Sequence, residues 1–275
     1  MIDLLIEMLS YSFILRAVTV GMLVSLCSAL LGVSLVLKRH SMIGDGLSHV
    51  GFGALSVAMV MNLAPLKVAV PVVIAAAFLL LRISENSRIR GDAAIALISS
   101  SSIAVGVTAA SLASGMNTDV YNFLFGSILA MSEEDVVISA VLSFIVLLLF
   151  FFFYHKIFAV TFDENFARAT GTKAGIYNTM IALLTAVTIV VGMRIMGSLL
   201  ISGLIIFPAL SSMRVFRSFR GVIITSALIS VVCFFCGIIV SYAFATPTGA
   251  SIILANLLVF GICCLAGMIR GKIGE

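Results

Sequence analysis

Asp45 and His49 are the residues whose types and spacing best suit them to chemistry. They stand four positions apart in Ser41-Met42-Ile43-Gly44-Asp45-Gly46-Leu47-Ser48-His49-Val50-Gly51-Phe52-Gly53. On a helix that spacing puts both on one face with Cβ atoms about 5–6 Å apart. A carboxylate oxygen and an imidazole nitrogen so placed can share one divalent ion. Gly44, Ser48 and Gly51 lie close by, and small residues let a second helix approach. A plainer reading also fits: Asp45 caps a helix start near the membrane interface, and His49 is its hydrogen-bond partner one turn on. Two ligands fall short of the four that zinc normally takes. If two copies of this helix met across a twofold axis, two Asp and two His would converge, leaving each subunit with an incomplete site. Weak holding suits a pathway that must also release its ion.

Residues 160–175 carry helix signals of another kind. Asp163 can cap a helix start, Glu164 suits its positive end, Arg168 and Lys173 suit the other, and Gly171 can stop it. The expectation is a short, well-delimited helix between two apolar runs. It serves equally as an interfacial element or as a lever for a cytoplasmic partner. Residues 114–132, with Asp119, Tyr121 and Asn122, precede an acidic triplet, Glu133, Glu134 and Asp135. Ser132 and Asp135 have capping-box spacing with Asp in place of Glu. Helix capping is the default account of this cluster, and docking of an external partner the alternative. The serines at 99–102, Gly106, Ser198, Ser202 and Pro208 fall inside apolar runs, where small and hydroxyl residues serve packing. Cys233 and Cys236 have CxxC spacing but sit among apolar residues with no second pair, so they read as small hydrophobes. The sequence contains no GxxxxGK[ST], HExxH or GxSxG; ATP binding by that first motif and two enzyme mechanisms lose their basis.

The elements that position these residues follow from composition. The 275 residues are 62% hydrophobic and 10% charged, against about 45–50% and about 25% in a soluble domain. The surplus apolar surface must face lipid. This excludes an attached soluble catalytic domain, a nucleic-acid-binding domain and a disulfide scaffold, and predicts a single transmembrane domain over 1–275. Asp3 and Glu7 with no early Lys or Arg read as a retained first span, without the basic start of a cleavable signal. Apolar runs place nine spans near 12–37, 44–63, 66–81, 93–113, 136–154, 176–193, 195–213, 222–244 and 250–269. The run from 176 to 213 is too long for one crossing and is split at 192–197, where a re-entrant element is an alternative. With nine crossings, thirteen basic residues fall on one side: Lys38, Arg39, Arg82, Arg88, Arg90, Lys156, Arg168, Lys173, Arg214, Arg217, Arg220, Arg270 and Lys272. Three, Arg16, Lys67 and Arg194, fall on the other. By the positive-inside rule the N-terminus is outside and the C-terminus cytoplasmic.

Four segments resemble the membrane permeases of bacterial ABC importers for zinc, manganese and iron. Lys38-Arg39-His40 through Ser48-His49 is similar to that family's basic loop and Gly-Asp…Ser-His segment. Asp163, Ala167 and Gly171 match its Asp-x-x-x-Ala-x-x-x-Gly coupling helix. Met196-Gly197-Ser198 through Phe207-Pro208-Ala209 is similar to its Gly-small-Leu…Pro-Ala span, and Pro247-Thr248-Gly249-Ala250 to its final outer turn. Gly46 and Phe52 depart from it, standing where Ala and an aliphatic residue are more usual.

The resemblance implies an all-α, polytopic fold of about nine transmembrane helices, of the metal-importing ABC permease type, in a bacterial inner membrane. Such a chain is not an enzyme and binds no cofactor. It would carry Zn²⁺ or Mn²⁺, with iron third, through Asp45 and His49. Its partners would be a second permease copy or homologue, an extracytoplasmic metal-binding protein, and a cytoplasmic ATPase engaged through Asp163, Glu164, Ala167, Arg168 and Gly171. Nucleic acid has no place in it. The alternative is a secondary cation transporter driven by a proton or ion gradient, with Asp45 and His49 as a relay.

Overall fold

The computed structural model describes residues 7–8, 10–86, 91–112, 124–126, 132–198 and 200–273. Asp119, Tyr121, Asn122, Arg88 and Arg90 lie outside the described residues. Among the described residues the regular structure is helical: α1 (Ser12–Leu37), α2 (Ser41–Val60), α3 (Pro65–Asn86), α4 (Gly91–Leu112), α5 (Glu133–Phe152), α6 (Tyr154–Phe162), α7 (Glu164–Ala169), α8 (Ala174–Met196), α9 (Ile201–Val215), α10 (Phe219–Phe244) and α11 (Thr248–Ile273). This is the structure a bilayer demands, because a helix satisfies its backbone polar groups internally.

Eight of these helices are long and apolar enough to cross a membrane; α9, at 15 residues, is shorter. It would rise only about 22 Å against a hydrocarbon core of about 30 Å. Its course is fixed by α11. A Cβ on Gly249, at the start of α11, would fall 2.3 Å from the carbonyl oxygen of Met196, and one on Gly267 would fall 3.1 Å from that of Arg214. The segment from Met196 to Arg214 therefore runs beside α11 from one end to the other, which supports a ninth crossing over a re-entrant element. The shortfall is made up by the turn that opens at Gly197. Gly197 adopts φ +87° there, and a Cβ on it would lie 2.2 Å from the Leu124 carbonyl oxygen. Irregular backbone at membrane depth is tolerated where protein covers it, and Gly197 and Ser198 are both buried.

The core is formed around α1, α2 and α8, whose most apolar stretches are 67–72% buried, whereas those of α4 and α11 are 17% and 11% buried. Between α1 and α10 the contact is made with hydroxyls as well as methyls: Ser226 Oγ donates to the Ala29 carbonyl (3.3 Å) and Ser230 Oγ to that of Ser25 (2.9 Å). Serine at both positions lets the two antiparallel backbones come close.

Several boundaries differ from the sequence reading. The second span starts at Ser41, three residues before the expected Gly44, because the chain reverses within Lys38–His40. The third extends well past 81, continuing through Pro71. The stretch after 154, expected as loop, begins with α6. The expected break at 192–197 falls later, so Arg194 stands in the last turn of α8.

The three basic residues that the charge count assigns to the outside meet the acidic triplet one to one. Arg16 pairs with Glu133 (2.5 Å), Lys67 with Glu134 (2.7 Å) and Arg194 with Asp135 (2.5 Å). The first two pairs are solvent-exposed and contribute about 0–1 kcal/mol each. The third is largely buried, with side chains 9% and 12% exposed; losing either partner of such a pair costs about 3–5 kcal/mol. The expected capping box is present too: Ser132 Oγ accepts from the Asp135 amide and Asp135 Oδ2 from the Ser132 amide. Asp135 thus joins α5 to α8 while closing its own helix start.

Candidate metal centre

Asp45 lies a full turn inside α2, whose first residue is Ser41 and whose N-cap is His40. It therefore caps nothing, and that alternative falls. Of the residues from Ile43 to Ser56, every one is buried except Asp45 and His49. Their neighbours meet two other helices of the fold. Gly46 meets Ile95 of α4, Gly51 meets Met193 of α8, and a Cβ on Gly53 would fall 2.7 Å from the Ser102 carbonyl oxygen of α4. With these glycines α2 sits close against α4 and α8, and the remaining face, the one with Asp45 and His49, is the partly exposed one and is met by Ser202 of α9.

Asp45 Oδ2 and His49 Nε2 are 3.6 Å apart. That is too far for a hydrogen bond. Two ligands each about 2.1 Å from one ion at the tetrahedral angle would be about 3.4 Å apart, so the separation is close to the edge of a coordination sphere. The other carboxylate oxygen, Oδ1, accepts from Ser202 Oγ of α9 at 3.2 Å. Ser202 consequently presents Oδ2 to His49. The Ser48 hydroxyl, expected near the site, bonds back to the Asp45 carbonyl instead (2.7 Å). His49 Nδ1 is buried with no hydrogen-bond partner, which leaves Nε2 as the nitrogen aimed at the carboxylate. Among the described residues no group of three or more His, Cys, Asp or Glu converges. Asp45 and His49 are the two candidate ligands that one chain brings together.

The other expected cluster also forms. Asp163 Oδ1 caps α7 by accepting from the Phe166 amide at 2.9 Å. Gly171 follows the helix at φ +82° with open space around it, an L-residue's disfavoured conformation that glycine adopts freely. Two placements depart from the sequence reading. Lys173 is the N-cap of α8 and not part of α7. Ala167 faces inward, fully buried with Val160 and Ala174, while Phe162, Phe166 and Arg168 are among the exposed side chains of this region.

Glu164 is drawn into a network that local spacing could not reveal. Its Oε1 accepts from Arg168 (2.6 Å), and its Oε2 from Lys38 Nζ (3.2 Å) and Asn178 Nδ2 (3.0 Å). Lys38 also donates to Asn178 Oδ1. Burial pushes the Glu164 carboxyl up, but the hydrogen bonds from Asn178, Arg168 and Lys38 outweigh it and hold the group down at about 2.

Known proteins resemble this chain along nearly its whole length. The ABC 3 transport family profile matches residues 10–267. A probable iron transport system membrane protein of Haemophilus influenzae is 30% identical over 275 residues, covering 98% of this chain and 99% of its own. The manganese import system permease ScaB of Streptococcus gordonii is 27% identical, covering 91% and 90%. Among solved structures, a chain of PsaBC from Streptococcus pneumoniae, in complex with Fab, superposes with a TM-score of 0.86 at 28% identity, over 96% of this chain and 95% of that one.

Two outcomes follow from the site. Ser202→Ala frees the Asp45 carboxylate to rotate, and loss of such an orienting partner weakens metal binding about tenfold or more; the half-saturating metal concentration for uptake should rise by that factor with the maximal rate little changed. A carboxyl held below its ordinary 4.5 stabilises the fold above that value and loses the contribution as pH falls toward about 2. Thermal unfolding in detergent should therefore show wild type more stable than Glu164→Gln at pH 7, with the gap closing as pH drops below about 4.5.

Proposed function

This chain belongs to the ABC 3 transport family, and on that footing we propose that it is the membrane-spanning permease subunit of an ATP-driven importer for a divalent metal ion. It is a multi-pass membrane protein. The observation that carries the reading is one face of α2: a carboxylate 37% exposed and an imidazole 12% exposed stand 3.6 Å apart as the two partly exposed side chains of a stretch, Ile43 to Ser56, that is otherwise buried. An ionisable residue at membrane depth costs about 2.5–3.5 kcal/mol on insertion scales, yet the carboxylate stays 37% exposed and the imidazole keeps a buried Nδ1 without a hydrogen-bond partner.

Two such subunits, or this chain and a homologue, meet with these faces opposed, so that two Asp45–His49 pairs complete the coordination one chain leaves open. The ion is Zn²⁺ or Mn²⁺, with Fe²⁺ third, since a carboxylate and an imidazole suit all three and geometry and availability select among them. An extracytoplasmic binding protein delivers it at the end that carries Glu133, Glu134 and Asp135. The N-terminus is outside and the C-terminus cytoplasmic, which puts α7 on the cytoplasmic face. There it seats a separate ATPase, with Phe162, Phe166 and Arg168 turned outward and Ala167 holding the helix to the permease beneath. The chain itself supplies no catalytic group.

Metal uptake separates this from the alternatives. Cells with Asp45→Ala or His49→Ala at normal membrane levels should lose nearly all uptake; undiminished uptake in both would remove the metal site. Purified chain alone in vesicles should not accumulate metal under a proton or ion gradient, and accumulation there without an ATPase would establish a secondary transporter. At α7, truncating an aromatic anchor costs about 2 kcal/mol, or about 30-fold in binding. Phe166→Ala should therefore release the ATPase on purification while the permease remains folded. Retention of the ATPase at wild-type levels would move the docking surface elsewhere.

A further inference from the structure

Two attachments hold α7 to the rest of the chain. Ala167 is packed beneath it, and α6 and α8 are its main backbone neighbours. The second attachment reaches a helix far away in sequence. Lys38, the C-cap of α1, Glu164 and Asn178 in α8 close a triangle in which each side chain bonds to the other two. Lys38 and Glu164 are 126 residues apart, and the Lys38 side chain is only 13% exposed.

Beyond Lys38 the chain has two residues, Arg39 and His40, before α2 begins. Arg39 adopts φ +60°, a left-handed conformation that costs a non-glycine residue about 1–2 kcal/mol. The turn is tied to both helices by backbone bonds: Arg39 to the Val36 carbonyl, His40 to that of Leu35, and Ile43 to that of His40. A reversal this short and this well bonded has little slack. Displacement of the end of α1 is passed to the start of α2, and Asp45 stands four residues past Ser41. Between the turn and α7 lies a cavity of about 430 Å³, lined in part by Leu35, His40, Ile43, Glu164 and Asn178. Motion here meets open space where a packed core would resist it.

We infer that Lys38, Glu164 and Asn178 are positioning residues that form a joint, passing displacement of α7 through the end of α1 to the helix that carries Asp45 and His49. The inference rests on the reading of α7 as the seat of an ATPase. It assigns these three residues a role apart from holding the ion or binding the ATPase: they set how much metal moves for each ATP consumed.

The test uses the full transporter, permease with its ATPase, in proteoliposomes with Mn²⁺ and separately Zn²⁺ as the probe. Metal accumulated and ATP hydrolysed are measured in the same vesicles. Coupling between sites is commonly worth about 5- to 150-fold, and Lys38→Met and Glu164→Gln should each lower the metal carried per ATP by about tenfold. Lys38→Arg and Glu164→Asp, which keep the charges, should recover a substantial part of the ratio. Asn178→Ala removes the neutral corner and should lower the ratio too, keeping the test open if the charge variants fail to reach the membrane. A purely structural role would reduce transport and hydrolysis together; an unchanged ratio in these variants, with wild type coupled, overturns the joint alone. A wild-type permease that neither retains an ATPase nor couples to one overturns the reading beneath it.

Discussion

An ion cannot cross hydrocarbon unless something replaces its water, and a group able to do that is itself expensive to keep in the membrane. In the proposed function, Asp45 and His49 stand at the meeting of those two costs. The surrounding sequence is arranged so that the rest of α2 from Ile43 to Ser56 is covered. Glycine at 46, 51 and 53 draws α4 and α8 in until there is no space for a Cβ, which fixes the rotation of α2 about its axis. That rotation, more than any bond made by the pair, decides that the carboxylate and imidazole share the one face of this stretch left partly exposed. Ser202 adds the finer setting, taking one carboxylate oxygen so that the other is offered beside the imidazole.

The two ends of the bundle handle charge differently. At one end three acids meet three bases in sequence order, and Asp135 both caps α5 and grips α8. Charge is balanced there, and the elements are pinned. At the other end Glu164 is the acid around which Lys38, Arg168 and Asn178 gather, and many of the remaining basic residues of the chain belong to that side. The first arrangement suits a rim that holds shape. The second leaves a surface rich in positive charge, with one bonded triangle linking three helices beside an open cavity.

Much of this was legible in sequence because it is local. Long apolar runs gave the crossings, Asp163 and Gly171 bracketed α7, and Ser132 with Asp135 announced a capping box; each depends on residues within a turn or two of one another. The spacing of Asp45 and His49 gave their common face, though not whether it looks inward or outward. What stayed hidden depends on distant parts of the chain. Ser202 reads as packing until α9 is laid against α2, 157 residues away. The acidic triplet reads as a helix start until three basic residues from α1, α3 and α8 arrive. Ala167 belongs to the same short helix as Phe166, and only the packing of α6 and α8 beneath it separates the seat from the exposed side. The break before α9 came later than hydropathy placed it, because Gly197 alone has both the backbone freedom and the lack of a side chain which that crowded corner requires.

At six residues, α7 is far below the roughly 12–15 at which a helix holds together unaided in water. Its shape is lent to it by its cap, by the alanine floor and by the Glu164 triangle. A protein that grips it is therefore gripping the first turns of α8 and the tip of α1 as well, and cannot bend or unwind the short helix as a separate part. Whatever displaces it acts through those contacts on three helices at once.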